Sequence, residues 1–139
     1  MDSPARYLVF HGAIVLLVGL LCGAPYGRAI NRNAPTQIVN SWRVAHASLS
    51  LGATLMFALA GVLASFTVET PVKWIVCISF ITSSYAFCVS LPLAAITGYR
   101  GLTSQGPASA RLVYAGNMLG ALASLVAALV LVYAGYASL

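Results

Sequence analysis

The sequence predicts an all-α integral membrane protein, a bundle of four membrane-spanning helices in one domain covering residues 1–139. Three observations predict it. The chain is 60% hydrophobic and 6% charged, with seven basic and two acidic side chains, too little polar surface to cover a soluble globule of 139 residues. Four apolar runs, Tyr7 to Ala24, Val44 to Phe66, Trp74 to Gly98 and Leu112 to Tyr136, are each about long enough to cross roughly 30 Å of hydrocarbon at 1.5 Å per residue. The connections between them are short, so any chemistry must happen within the bundle or at its rim.

The first run lacks a small-x-small cleavage site followed by a polar segment, so it reads as a span rather than a signal peptide. Pro25, Tyr26 and Gly27 read as its stop and turn. The loop from Pro25 to Arg43 is the longest, and Asn33 or Thr36 is placed to cap an early start of the second span, carrying it through Trp42 before it enters lipid. Around Glu69 and Thr70 the connection is tight, and Pro71 fits the first turn of the third span, where its missing N–H does no harm. Pro92 lies inside that span and predicts a kink. In the fourth span Gly116, Gly120, Ser124 and Ala128 make a stripe of small residues, suited equally to packing within a subunit or between subunits.

Arg28, Arg32, Arg43, Arg100 and Arg111 fall in or beside the first and third loops, whereas Arg6 and Lys73 are the only basic side chains elsewhere. The positive-inside rule then puts those two loops in the cytoplasm and both termini on the opposite side, as in a multi-pass protein of the bacterial inner membrane. Cys22, Cys77 and Cys88 all sit in apolar spans without CxxC or Cys/His spacing and read as core residues. P-loop, GxSxG and zincin patterns are missing and no carboxylate lies in a span, so hydrolysis and nucleotide chemistry have no support; nothing suggests a nucleic-acid partner.

Titratable and amide side chains inside spans are functional candidates because a bilayer makes them costly, and here they are His11, His46 and Asn117. The two histidines enter their spans from opposite faces, so their depths differ by roughly 15–20 Å, too far to hold one iron between them. His46 therefore acts alone if it is a ligand, leaving an open position on the metal of the kind a Lewis acid needs. His11, one turn after Tyr7, is expected to hydrogen-bond a neighbouring helix. Depth collects Ser90, Leu91, Tyr99, Arg100, Arg111, Tyr114 and Asn117 near His46, and Trp42 precedes it by one turn on the same face. Arg43 and Arg100 at the rim suit the propionates of a haem, although Trp42, Tyr99 and the arginines serve equally as interfacial anchors.

His11-Gly12, Trp42-x-x-Ala45-His46 and Arg100-Gly101-Leu102-Thr103, in this order and spacing, resemble styrene oxide isomerase, a small four-span bacterial membrane enzyme. The resemblance runs from about His11 to the end of the fourth span. It implies a homotrimer that binds ferric haem b between subunits through one axial histidine, here His46, and rearranges an aromatic epoxide to an aldehyde by Lewis-acid catalysis. It also marks departures: the family's asparagine six residues after the axial histidine falls on Gly52, its pocket tyrosine on Leu91 and its acidic residue in the third span on Ser83. Asn117, with Ser83 or Tyr85, is the candidate replacement for those positioning groups. The expected substrate is a small apolar aromatic molecule entering from the bilayer. A more distant resemblance, to hydroxylaminobenzene mutases, and a non-catalytic haem protein for electron transfer or sensing are the alternatives, with a haem-free membrane module as a third.

Overall fold

A computed structural model describes residues 2–139. It is all-helical: α1 (Ser3–Leu21), α2 (Gly23–Asn31), α3 (Thr36–Ser65), α4 (Thr70–Thr97) and α5 (Ala108–Tyr136). Four helical segments are long and apolar enough to cross a membrane, α1 and α2 counting as one stretch over Ser3–Asn31, which makes this a multi-pass membrane protein. At about 1.5 Å per residue each segment is roughly 42–45 Å long and passes beyond the hydrocarbon core. The apolar runs fall short of the helix starts but reach the ends of α3, α4 and α5.

The first span departs from expectation. Pro25, Tyr26 and Gly27 do not stop it; the chain only breaks step at Cys22, whose φ of −65° and ψ of −18° remain helical. Pro25 has no N–H to offer the Leu21 carbonyl, so the helix loses a bond there, yet proline in the first turn of α2 is tolerated and the helix runs on to Asn31. The loop shrinks to a few residues. Asn33 takes a left-handed φ of 49°, a conformation asparagine accepts more readily than most residues. α3 does begin early, at Thr36, but Pro35 is its N-cap residue and no side chain caps it.

The other termini follow local chemistry. Asp2 caps α1 by accepting from the Ala5 N–H at 3.2 Å. Pro71 lies in the first turn of α4, and α4 continues through Pro92 to a left-handed Gly98 whose N–H bonds the Ala94 carbonyl. Gln37 Nε2 donates to the Gly98 carbonyl at 3.1 Å and ties the first and third loops together at one end. At the other end Lys73 Nζ pairs with Asp2 at 3.0 Å, and the Thr67 N–H donates to Ser138 Oγ.

α1, α3 and α4 pack against one another, whereas α5 makes its close backbone approach to α4 alone. The small-residue stripe serves that approach. A Cβ on Gly116 would stand 2.8 Å from Ser90 Cβ, and one on Gly120 would stand 2.7 Å from the Phe87 ring. Ser83 Oγ donates to the Gly120 carbonyl at 2.8 Å between the same two helices. Gly116 and Gly120 thus pack within the subunit. The three cysteines are unpaired, and Cys77 Sγ lies 3.3 Å from the Pro4 carbonyl. Large apolar side chains such as Leu122, Leu129 and Val132 are exposed on the outside of α5.

Candidate functional site

His46 stands on the α1 side of α3. Its Nδ1 is 2.8 Å from the Gly19 carbonyl, so Nδ1–H donates and Nε2 is left as the free nitrogen, with no partner among the described residues. This is how ligand histidines are held: a bond from the second ring nitrogen to a backbone carbonyl fixes tautomer and orientation. Two glycines make room for it. A Cβ on Gly19 would meet the α3 backbone at Ser50 N, 2.9 Å away, and one on Gly23 would lie 3.3 Å from His46 Cε1 and Nδ1. Tyr26 lies nearly parallel to the imidazole, its ring centroid 6.3 Å away. Because α2 carries the first span on past Pro25, Tyr26 reaches His46; a turn at Pro25 would have removed its ring.

Among the described residues no group of three or more His, Cys, Asp or Glu side chains converges. A metal caged by side chains needs three or four such ligands, whereas a haem iron needs a single axial histidine. His46 therefore fits a haem and does not fit a bare metal ion.

On the far side of α3 a groove runs between α3, α4 and α5. Its deep part is a cavity of about 360 Å³ whose walls include Leu49, Gly52, Leu55, Phe80, Phe87 and Leu91. Ser83, Ser84 and Ser124 also line it, but their hydroxyls are turned to Gly120 O, Met56 Sδ and Ala121 O. Towards the arginine-bearing end a second hollow of about 250 Å³ shares Leu91 and is the more polar of the two, its walls including Gln37, Asn40, Ser41, Tyr99, Arg100 and Asn117. Asn117 Nδ2 reaches the Arg100 carbonyl at 3.4 Å, while its Oδ1 is buried without a partner. The glycine at 101, with φ of 66°, lets the α4–α5 loop settle on Asn117 and Val113, since a Cβ there would stand 2.6 Å from both.

The sequence-predicted residues divide between these two faces. At about 100° per residue, Gln37, Asn40, Ser41, Val44, Ser48 and Gly52 lie roughly 120–240° round α3 from His46, and Trp42 lies roughly 40° from it. Trp42, Arg43 and His46 belong to one side, and Asn117, Arg100 and Ser83 to the other. The neighbourhood that depth alone gathers about His46 is therefore not one site within a chain, because depth fixes height along a helix and not direction round it. Gly52, Leu91 and Ser83, the three positions that depart from the family's pattern, meet in the one cavity.

Tyr85 lies outside the groove. Its hydroxyl is 2.9 Å from His11 Nδ1, the interhelical bond expected of His11, within an aromatic cluster that includes Tyr7, Phe10 and Trp74. His11 and Gly19, the carbonyl partner of His46, are separated on α1 by roughly 12 Å at 1.5 Å per residue. That is less than the depth difference read from the spans, but still beyond what two metal–nitrogen bonds of about 2 Å can bridge. Sequence reading missed the groove residues Gln37, Asn40, Ser41, Ser48, Phe80 and Phe87. The signal was present in α3, where residues 37, 41, 44, 48, 52 and 55 follow the spacing of one helical face.

No curated protein matches the chain. A family model for styrene oxide isomerase matches residues 4–136, from the first turn of α1 to the last residue of α5, and with it the chain belongs to the styrene oxide isomerase family.

Proposed function

We propose that the protein is a haem b-dependent isomerase that rearranges a small aromatic epoxide to the corresponding carbonyl compound, in a ring of identical subunits. Family membership supports an isomerase of this kind. The observation that carries the finer reading is the opposition of His46 and the groove across α3. One chain cannot bring the two together, but a head-to-tail contact between copies sets the His46 face of one against the groove of the next. Heterologous contacts of that sort close into rings when the rotation allows, and three copies close at 120°.

His46 Nε2 would hold the iron, with Nδ1–H anchored on Gly19. Trp42 packs beside it on the same face. Arg43 on the His46 side and Arg100 on the groove side are both exposed at the arginine-bearing end, where they would pair with the propionates. Bound there, ferric haem supplies a Lewis acid that polarises the epoxide C–O bond. The chain's own part is to orient the substrate and keep it dry. An epoxide opening at a benzylic carbon gives the carbonyl compound when hydride migrates first and the diol when water arrives first, so the leucine and phenylalanine walls decide the product. Ser83 spends its hydroxyl on Gly120 and acts as wall. Asn117, with its unpartnered Oδ1, lines the adjoining hollow that meets the cavity at Leu91. Tyr85 acts on structure through His11. By the positive-inside rule the arginine-bearing end faces the cytoplasm of a bacterial inner membrane.

The test is the absorption spectrum of detergent-purified, haem-supplemented protein beside His46→Ala, followed by product analysis with styrene oxide. A Soret band lost in the variant, with aldehyde as the main product of the parent, is the expected result. Protein that stays colourless overturns the haem reading, and a coloured protein that yields mainly diol overturns the epoxide reading. Turnover of an aryl hydroxylamine in place of the epoxide would move the protein to the mutase type of rearrangement. A reversible redox couple with inert six-coordinate iron would make it an electron carrier.

A further inference from the structure

Resting on the isomerase reading above, we propose that the groove is built for two-ring aromatic substrates, with Gly52 as the specificity-determining position. Size is the first argument. A sealed apolar cavity of about 150 Å³ suffices for one benzene ring, and the groove between α3, α4 and α5, half open on its outer side, holds about 360 Å³ within a single chain. A single phenyl ring would leave more than half of it unfilled, and unfilled apolar space forfeits the dispersion contacts that hold a ligand.

Shape is the second. A Cβ at Gly52 would meet nothing within 4 Å, so no packing demand inside the subunit explains a glycine in the middle of α3. Gly19, Gly116 and Gly120 each have a neighbour that excludes a side chain, whereas Gly52 and Gly61 on α3 have none, and of those two Gly52 lines the cavity. What its missing side chain leaves is room in the cavity wall, opposite Phe80 and Phe87.

Polarity is the third. With the Ser83, Ser84 and Ser124 hydroxyls donating to Gly120, Met56 and Ala121, these three walls hold no free donor for a polar ring substituent. Ser48, exposed on α3, and Asn117 at the shared upper end carry the polarity. A fused aromatic hydrocarbon bearing its epoxide at one end matches this division, rings down and oxygen up.

The experiment compares 2-naphthyloxirane with styrene oxide on the haem-loaded parent, Gly52→Leu and Gly61→Leu. Gly61 is a matched control, also on α3 with open space around it but outside the groove. Alongside, thermal stabilisation by naphthalene and by benzene is measured, with Gly52 intact and with Gly52→Leu, on haem-free His46→Ala and, should that variant fail to fold, on the parent background before haem supplementation. The expected ratio of kcat/KM, naphthyl over phenyl, exceeds 10 in the parent and in Gly61→Leu and falls below 1 in Gly52→Leu, and naphthalene stabilises more than benzene only where Gly52 is present. A parent ratio below 1 without selective stabilisation by naphthalene overturns the two-ring proposal while leaving the isomerase reading intact. Selective, Gly52-dependent stabilisation by naphthalene with neither epoxide turned over supports the ligand class and overturns the isomerase reading. A ratio that is high but unchanged in Gly52→Leu overturns Gly52 as the determinant.

Discussion

Gly116→Ala tests how the fourth span is held. The new Cβ would stand 2.8 Å from Ser90 Cβ and 3.3 Å from the Ala86 carbonyl oxygen, atoms on or next to the α4 backbone that no rotamer change removes. Carbon atoms pack at about 3.5–4.0 Å, so α5 must retreat by roughly 1 Å. Overpacking of this kind costs about 1–3 kcal/mol. The retreat also stretches the Ser83–Gly120 bond of 2.8 Å, and interhelical bonds in membranes contribute about 0.6 kcal/mol on average. Alanine regains up to about 1 kcal/mol of helix propensity over glycine, leaving a net loss of roughly 2 kcal/mol. The assay is unfolding in mixed micelles by denaturing detergent, followed by circular dichroism. Gly61→Ala is the same chemical change with nothing within 4 Å and is expected to be neutral or mildly stabilising. Ser90→Gly, which removes the opposing Cβ, should restore much of what Gly116→Ala loses. Equal stability of Gly116→Ala and Gly61→Ala would refute the packing account of the stripe.

Three further outcomes are expected. Gly23→Ala presses on the His46 ring at 3.3 Å and disturbs its bond to Gly19; haem titration should show affinity reduced about 10–100-fold, the usual effect of disturbing a ligand's supporting bond. His11→Phe and Tyr85→Phe each remove the 2.9 Å interhelical bond, and a double-variant cycle in micelles should give a coupling of about 0.6 and at most roughly 1.7 kcal/mol. Burial raises the Asp2 carboxyl, but Lys73 and the Ala5 N–H outweigh it, so the group titrates below its ordinary 3.8. A depressed carboxylate stabilises the fold above that ordinary value, and the contribution disappears as pH falls through the folded value. The stability difference between parent and Asp2→Asn, followed by acid titration, should therefore shrink below pH 3.8 and be constant above it.

The membrane helices were legible because burial in lipid is written in composition, and each of the four apolar runs overlaps one of the four helical segments long and apolar enough to cross a membrane. Their ends were less so. Pro25 reads as a stop in any local rule, yet in the first turn of α2 it costs little, and the decision lies with tertiary packing of Ala29 and Tyr26 that a local rule does not see. His46 stood out because an imidazole at the mouth of an apolar run is rare, and its anchoring on Gly19 could not be read because it joins residues 27 positions apart. The groove was half legible: the spacing of residues 37 to 55 marks a face of α3, but what that face meets depends on α5 leaning against α4 and away from α3.

That lean has a consequence for the surroundings of the protein. A helix braced by protein on one flank is braced on the other by acyl chains, and lateral pressure in a bilayer pushes α5 towards α3 with a force that depends on chain length and unsaturation. A micelle exerts no such pressure. The width of the groove between α3 and α5 is then partly a property of the lipid, and ligand affinity should rise on transfer from detergent to nanodiscs and vary with the thickness of the membrane chosen.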